Sequence, residues 1–334
     1  MKKLFRFAIF VDICIAICFF VFYGPFDIIK SKLISTALVT KTHGYIAYTF
    51  YSDETIKKVQ EANSYIPLTD DVNLDDIKID TSEKTKFKDE YEEAILKRDP
   101  NNKDYKYIEV KVGKYDAHIV AIYDPSKVKL ITAPKFNTGS GAERVPQMCD
   151  RSGGLVCING GMFKDDTGWG SDIPVGYLIK DGKVIWSDGS SPQDLIGFNK
   201  DNKLLLINAT AENAIAKGMR DALQFGPFLI VNGKTLEFNS KAGSYDRAAR
   251  VAIAQRRDGV VLFLVTEGVH MNGPNLKEMV ETLELYGAYN AANLDGGSST
   301  QLAIGGKLIN NPLNITGKKI AGGRKIVSGF GLLK

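Results

Sequence analysis

The chain has 334 residues, 44% of them hydrophobic and 25% charged, the composition of a folded globular protein with room for one large domain or two ordinary ones. Its net charge is only +4 and no arginine/lysine stripe alternates with aromatics, which argues against a dedicated nucleic-acid binder. The 32 glycines are scattered rather than periodic, so they signal turns and hairpins and exclude a collagen-like or linker chain.

At the amino end, Lys2, Lys3 and Arg6 precede an apolar run from Phe7 to Tyr23 broken only by Asp12. As a helix this run covers roughly 25 Å, slightly short of a hydrocarbon core of about 30 Å. The basic flank places the amino end in the cytoplasm and the rest of the chain outside. No small-x-small cleavage pattern follows, so residues 1–24 read as an uncleaved signal anchor in the cell membrane rather than a cleaved signal peptide. Asp12 needs a proton, a partner or a place near the interface. Cys14 and Cys18, four apart in the same helix, read as packing or acylation-prone residues. Cys149 and Cys157 lie in the outer region, where a disulfide can form. Cys157 also reads as a buried strand residue, so the spacing leaves the pairing open. The three histidines, His43, His118 and His270, are far apart, and no Cys/His spacing suggests zinc. No Asp/Asn loop has calcium spacing, so no cofactor is indicated.

Residues 25–104 read as a charged helical spacer. Ser52-Asp53 caps a short helix from Glu54 through Ala62. From Thr69 to Asp104 the chain is dense in charge and poor in aromatics. One helix is expected there, Asp89 to Arg98, stopped by Asp99-Pro100-Asn101-Asn102. At Tyr105 the pattern turns to short strands. Tyr107 to Val112 and Ala117 to Tyr123 alternate around Gly113. Asp181-Gly182, Asn232-Gly233, Arg257-Asp258-Gly259 and Gly305-Gly306 each separate two apolar runs, the mark of hairpins. Leu276, Met279, Val280, Leu283 and Tyr286 recur at helical spacing, with Gly287 placed to end the helix. The pattern is that of an α+β domain over 105–334: a mixed or antiparallel sheet with several hairpins and a few packed helices.

Candidate chemistry sits where apolar runs end. Asn293-Leu294-Asp295-Gly296-Gly297-Ser298-Ser299-Thr300 packs a carboxylate, two glycines and three hydroxyls into six positions. Glycines let a ligand approach the main chain, and successive N–H groups in such a turn can form an anion site; a plain tight turn has the same composition. Asn159-Gly160-Gly161-Met162-Phe163 closes the apolar strand Gly154 to Ile158. Arg250 begins a strand, where its forked guanidinium could grip a phosphate or carboxylate. Glu267-Gly268 ends the apolar run Val260 to Thr266, with His270 close behind. Asp172, in Trp169-Gly170-Ser171-Asp172, is a weaker candidate. There is no Walker loop, dinucleotide fingerprint or Gly-x-Ser-x-Gly elbow.

Taken in order, Asn159 through Phe163, Phe225-Gly226-Pro227, Arg250-Val251-Ala252-Ile253, Asn293 through Thr300 and the Gly-Gly-Arg-Lys-Ile-Val segment around Arg324 resemble the phosphodiester glycosidase family. The resemblance spans about residues 105–334, and the amino-terminal region is similar to membrane-anchored bacterial members. The chain departs from the family at Ala249-Arg250-Val251, where Pro-Arg-Thr is frequent. It departs again at Glu267-Gly268-Val269, where Asp-Gly-Arg is frequent. The resemblance implies hydrolysis of a sugar–phosphate diester at the sugar C1–O bond, in a cell-envelope glycan or exopolysaccharide. It makes Asp295 the first choice for nucleophile or base and Glu267 the second carboxylate. Arg250 and the N–H groups of Gly160, Gly296 and Gly297 would hold the departing phosphate. Asn159 and Thr300 would orient sugar hydroxyls, with Gly161, Ser298, Ser299, His270 and Arg324 as further substrate contacts. The partners implied are a glycan and, through the first helix, the membrane, with no nucleic acid. Two other classes compete: a non-catalytic, membrane-anchored glycan-binding module, and a serine hydrolase using Ser298 or Ser299.

Overall fold

The structure, a computed structural model, describes residues 2–39, 44–165, 170–239 and 246–334. The chain forms two compact units, Met1–Tyr65 with Phe238–Asp246, and Ile66–Glu237 with Arg247–Lys334.

The smaller unit is helical, with helices at Lys2–Tyr23, Asp27–Val39, Gly44–Phe50 and Asp53–Asn63. Phe5–Tyr23 is long and apolar enough to cross a membrane, and none of it is buried inside the protein. Its carboxyl end is not loose: the Phe22 and Phe50 rings lie 5.3 Å apart and those of Tyr23 and Tyr51 6.4 Å apart. Ile34, Ala37, Ala47, Ile56 and Val59 make a small core. Ser52 caps the last helix as expected, its hydroxyl accepting from Thr55 N at 3.3 Å.

The larger unit is built on three sheets. The seven-stranded sheet runs in the order Lys234–Thr235, Phe228–Val231, Ala288–Leu294, Val251–Arg256, Val261–Thr266, Tyr115–Ile122, Tyr105–Val112. A five-stranded sheet runs Lys307–Leu308, Leu302–Ile304, Gly154–Asn159, Ser328–Leu333, Val128–Thr132. Another runs Lys183–Ser187, Tyr177–Lys180, Met219–Gln224, Gln193–Asn199, Leu204–Ala209. Within all three sheets the pairings among the described residues are antiparallel. Alternate residues of each sheet meet in one core. Val251, Ile253, Phe263 and Val265 pack with Val156, Ile158 and Phe330 of the second sheet and Ile196, Phe198 and Leu223 of the third. The helix Leu276–Leu285 lies on the seven-stranded sheet, burying Leu276, Met279, Val280 and Leu283.

The local rules read from the sequence operate here. Asp181 and Gly182 take φ of 51° and 71°, and Asn232 and Gly233 take 55° and 77°, the left-handed pair a two-residue hairpin turn demands. Asn275 and Glu278 form a capping box at the start of the long helix, and Gly287 ends it at φ 74°.

The stretch Thr69–Asp104 differs from the expected solvated spacer. Ile77, Ile95 and Leu96 are buried, Lys78 N donates to Arg257 O at 2.7 Å, and Asp80 N donates to Asp258 O at 2.9 Å. One of its charges reaches into the rest of the larger unit: Glu92 lies 2.7 Å from Arg256, which also pairs with Asp258. The stretch is therefore solvated on its charged face and anchored by a few apolar residues.

Cys149 and Cys157 form a disulfide, with Cα atoms 5.8 Å apart, joining the helix Val145–Arg151 to the strand Gly154–Asn159. The bridge leaves no space at Gly154, where a Cβ would sit 2.6 Å from both sulfurs. For a sequence separation of 8 residues, replacing both cysteines by serine should cost about 2–3 kcal/mol. Urea unfolding of the full chain in detergent measures this; an unchanged midpoint would show that the bridge adds no stability.

Candidate active site

In an antiparallel sheet one strand begins where its neighbours end. Val251 opens its strand opposite both Val265 and Leu294, so Arg250, Glu267 and Asp295 emerge at one rim. Asn159 ends its strand opposite Gly329 in the second sheet. Backbone bonds join the two rims. Asp295 N donates to Gly160 O at 2.8 Å, Gly160 N to Ser328 O at 3.0 Å, and Gly297 N to Ala249 O at 2.7 Å. Arg250 N donates to Thr266 Oγ1 at 2.8 Å, and Thr266 N returns a bond to Arg250 O at 2.9 Å.

The two glycines of the central loop have different tasks. A Cβ at Gly296 would lie 2.6 Å from Ala249 O, so this glycine permits close approach. Gly297 has φ 57°, so it permits the turn. Asn159 is a strut: its Nδ2 donates to Asp295 O at 2.6 Å and its Oδ1 accepts from Gln301 N at 2.8 Å. With both ends of its amide engaged and 1% of its surface exposed, Asn159 holds the loop rather than a sugar hydroxyl. Thr300 is fully buried as well, its carbonyl accepting from Asn310 Nδ2 at 2.9 Å. Asn293 anchors the approach to the loop, donating from Nδ2 to Gly226 O at 2.9 Å and from its backbone N to Pro227 O at 3.0 Å. This gives Phe225-Gly226-Pro227 a physical task.

The expected cradle of free N–H groups is absent among the described residues. Gly160 N is taken by Ser328 O, Gly161 N by Ser328 Oγ at 3.2 Å, and Gly297 N by Ala249 O. Gly296 N faces the Asp295 carboxyl. Gly160, Gly161 and Gly297 thus spend their N–H groups on stitching the rims.

Asp295 is half-buried. Burial is the largest influence on its carboxyl and pushes its pKa from the ordinary 3.8 up to about 7. The Ser299 hydroxyl, Gly296 N–H and Arg250 charge pull it back only partly. Ser299 also accepts from Arg324 Nη1 at 3.5 Å. The Arg324 guanidinium pairs with Asp165 and lies 5.2 Å over the Phe163 ring, and burial lowers its pKa from the usual arginine value. The hydroxyl partners described for Ser299 are therefore a carboxylate and an arginine, and no histidine is among them.

Glu267 is held differently. Asn311 N donates to its Oε1 and Oε2 at 3.0 and 3.2 Å, and His118 Nε2 lies 3.3 Å from Oε1. His118 escaped the sequence reading because 149 residues separate it from Glu267. The only signal was a histidine in an otherwise apolar strand. His270 lies in the tight turn after Glu267, where Val269 N donates to Asn272 O at 2.9 Å. Its Nε2 is buried with no hydrogen-bond partner among the described residues, and no described bond ties it to Asp295 or Glu267. Ser298 is half-exposed beside Asp295.

Asp172 is a loop staple, accepting from Thr138 N, Thr138 Oγ1 and Gly141 N at 2.7, 2.7 and 2.9 Å. Burial alone would raise its pKa, but these donors outweigh it and bring the value down to about 2. Trp169, from the same segment, lies outside the described residues. Among the described residues no group of His, Cys, Asp and Glu is arranged to hold a metal ion.

Comparison with known proteins follows this geometry. The family described as phosphodiester glycosidase matches residues 152–333. YomE, an uncharacterized SPbeta prophage-derived protein of Bacillus subtilis, is 31% identical over 201 residues, 57% of this chain and 30% of that protein. The N-acetylglucosamine-1-phosphodiester alpha-N-acetylglucosaminidase of Mus musculus is 24% identical over 215 residues, 58% of this chain and 41% of that one. The chain thus spans well under half the length of these curated relatives. The catalytic domain of the zebrafish enzyme of that name, solved in a form auto-inhibited by its pro-peptide, shares the fold. It superposes with a TM-score of 0.59 at 20% identity, over 69% of this chain and 83% of that one.

The raised pKa of Asp295 has a stability consequence of fixed sign. Between 3.8 and about 7 the folded state keeps a proton that the unfolded state has released. Stability therefore falls as pH rises through that window, and the deficit is complete above it. Asp295→Asn removes the titration. It should raise the melting temperature most above pH 7 and lose its advantage as the pH falls to the ordinary carboxylate value. A melting-temperature difference independent of pH would contradict this account.

Proposed function

The chain belongs to the phosphodiester glycosidase family, and on that premise we propose that it is a hydrolase that cleaves the sugar C1–O bond of a sugar–phosphate diester. The observation that carries this reading is the Asp295 carboxyl, half-buried beside Arg250, Ser299 and Arg324 with its pKa pushed up to about 7. Such a carboxyl is matched to proton transfer near neutrality. The raised value favours Asp295 as proton donor over the nucleophile or base the resemblance suggested.

The chemistry follows from two unlike carboxyl groups. The bond from C1 to the bridging oxygen breaks, and its electron pair leaves with the phosphate. Asp295 gives a proton to that oxygen. Glu267 faces the oxocarbenium-like charge as an anion and takes the proton of the water that adds to C1. Arg250, with Arg324 behind Ser299, supplies the positive charge for the phosphate. The name of the mouse relative makes N-acetylglucosamine 1-phosphodiesters the first substrates to try.

The site is proposed to lie outside the cell, acting on a cell-envelope glycan or exopolysaccharide. The buried Cys149–Cys157 bridge supports an oxidising compartment. The apolar helix Phe5–Tyr23, packed at its end on Phe50 and Tyr51, supports an anchor that stays attached. A tag placed after Lys334 should be removed by protease added to intact cells; removal only after lysis would reverse the topology.

Purified full-length protein in detergent should release free sugar from a panel of sugar 1-phosphodiesters. In ¹⁸O water the label should enter the sugar. Asp295→Asn should lower kcat about 100-fold or more, the span of general acid–base catalysis, and abolish the basic limb of the pH profile near 7. Label appearing in the phosphate instead would mean P–O cleavage and overturn the mechanism.

A further inference from the structure

We infer that His118, oriented by Tyr107, is a positioning residue that holds the Glu267 carboxylate by donating its Nε2–H to it. This rests on the hydrolase reading above. It extends the site to the hairpin Tyr105–Val112 and Tyr115–Ile122, which lies before the segment matched by the family.

His118 is buried, and both ring nitrogens are engaged. Nδ1 lies 3.0 Å from Tyr107 Oη, and Nε2 lies 3.3 Å from Glu267 Oε1. The Tyr107 and His118 rings stack with centroids 6.0 Å apart, which fixes the imidazole plane. The strand register explains the meeting. Tyr107, Glu109 and Lys111 lie on one face opposite Val120, His118 and Asp116, and the adjacent strand delivers Glu267, whose backbone N donates to Asp116 O at 2.8 Å.

A proton inventory sets the direction of the bond. Tyr107 has one hydroxyl hydrogen and two claimants, Glu109 Oε1 at 3.1 Å and His118 Nδ1 at 3.0 Å. Burial first, then Glu109, pushes the Tyr107 pKa up to about 12, so it remains a phenol. When its hydrogen goes to Nδ1, the neutral imidazole carries its proton on Nε2, facing Glu267. When its hydrogen goes to Glu109, Nδ1 must donate to the phenol oxygen, and only a protonated ring still offers Nε2–H to Glu267. Glu109 is exposed and can be satisfied by water, so the first arrangement costs little. Glu267 receives an N–H in the first arrangement, and in the second only when the ring is protonated. Its remaining described donor is the backbone of Asn311, in a stretch, 310–316, that has no titratable side chain. The other charges on this face are Lys111 and Asp116, paired with each other at the exposed tip.

The test is the pH dependence of kcat/KM for wild type, His118→Ala, His118→Gln and Tyr107→Phe, each as full-length protein. His118→Ala should lower kcat/KM about 10- to 100-fold, the effect of losing a hydrogen bond to a charged group, and move the acid limb up, because the hydrogen bond it removes favours the charged carboxylate. The basic limb, set by Asp295, should stay in place. His118→Gln, whose amide N–H can replace Nε2–H, should restore most of the activity. Tyr107→Phe should shift the acid limb in the same direction by less. Loss at all pH values with an unmoved acid limb and no rescue by glutamine would mean a merely structural histidine and overturn the inference. Should wild type lack turnover, the hydrolase reading fails by itself. The inference is then decided by ¹⁵N NMR of histidine-labelled protein, with His118→Gln for assignment. The Nε2–H tautomer at neutral pH upholds the bond, and the Nδ1–H tautomer refutes it.

Discussion

The site depends on one buried amide. Asn159 ends a strand of one sheet, and its side chain reaches across to Asp295 O and Gln301 N of the loop that leaves the other sheet. Asp295 N returns the link to Gly160 O. A loop of glycines and serines would otherwise sample many conformations, and fixing each backbone residue costs on the order of 1–2 kcal/mol. The crossed bonds meet that cost with partners from the scaffold itself. They also occupy the N–H groups of Asp295 and Gly160, and Gly297 N is taken by Ala249 O.

Legibility in the sequence followed the range of the interaction. The Asp181-Gly182 and Asn232-Gly233 turns were readable because the backbone angles they need are met by those residue types alone. The Leu276–Leu285 helix was readable because its period and both end signals agree. Strands such as Val128–Thr132 and Ser328–Leu333, paired to each other across the chain, carried no local turn signal and were not foreseen. The Thr69–Asp104 stretch failed for another reason: its buried residues are single isoleucines and a leucine among charges, so no period announces them. At the site, sequence motifs located the rim residues but not their tasks. Asn159 and Thr300 face inward, and His118 meets Glu267 only through strand pairing.

Burial and charge oppose each other at Asp295. Arg250 and the Ser299 hydroxyl both favour the carboxylate, yet the carboxyl remains protonated well above its ordinary range, so burial exceeds their sum. Glu267 has the opposite surroundings: a backbone N–H shared between its two oxygens and an imidazole at its edge. Two carboxyl groups at one rim thus have unlike partners.

On the proposed reading, substrate sharpens this difference. A diester anion seated against Arg250 spends the positive charge that now helps ionise Asp295. This favours the protonated acid in the complex, because an uncompensated carboxylate beside a phosphate would place two negative charges close together. The proton is retained until the C1–O bond begins to break. At that point negative charge builds on the bridging oxygen, and transfer to it relieves the repulsion. Glu267 feels the reverse, since positive charge grows on the sugar as the phosphate leaves, and an anion fixed by Asn311 and His118 is favoured throughout. The stitched rims let these changes act on protons rather than on the backbone. The Asp295 main chain cannot shift without breaking its bonds to Asn159 and Gly160.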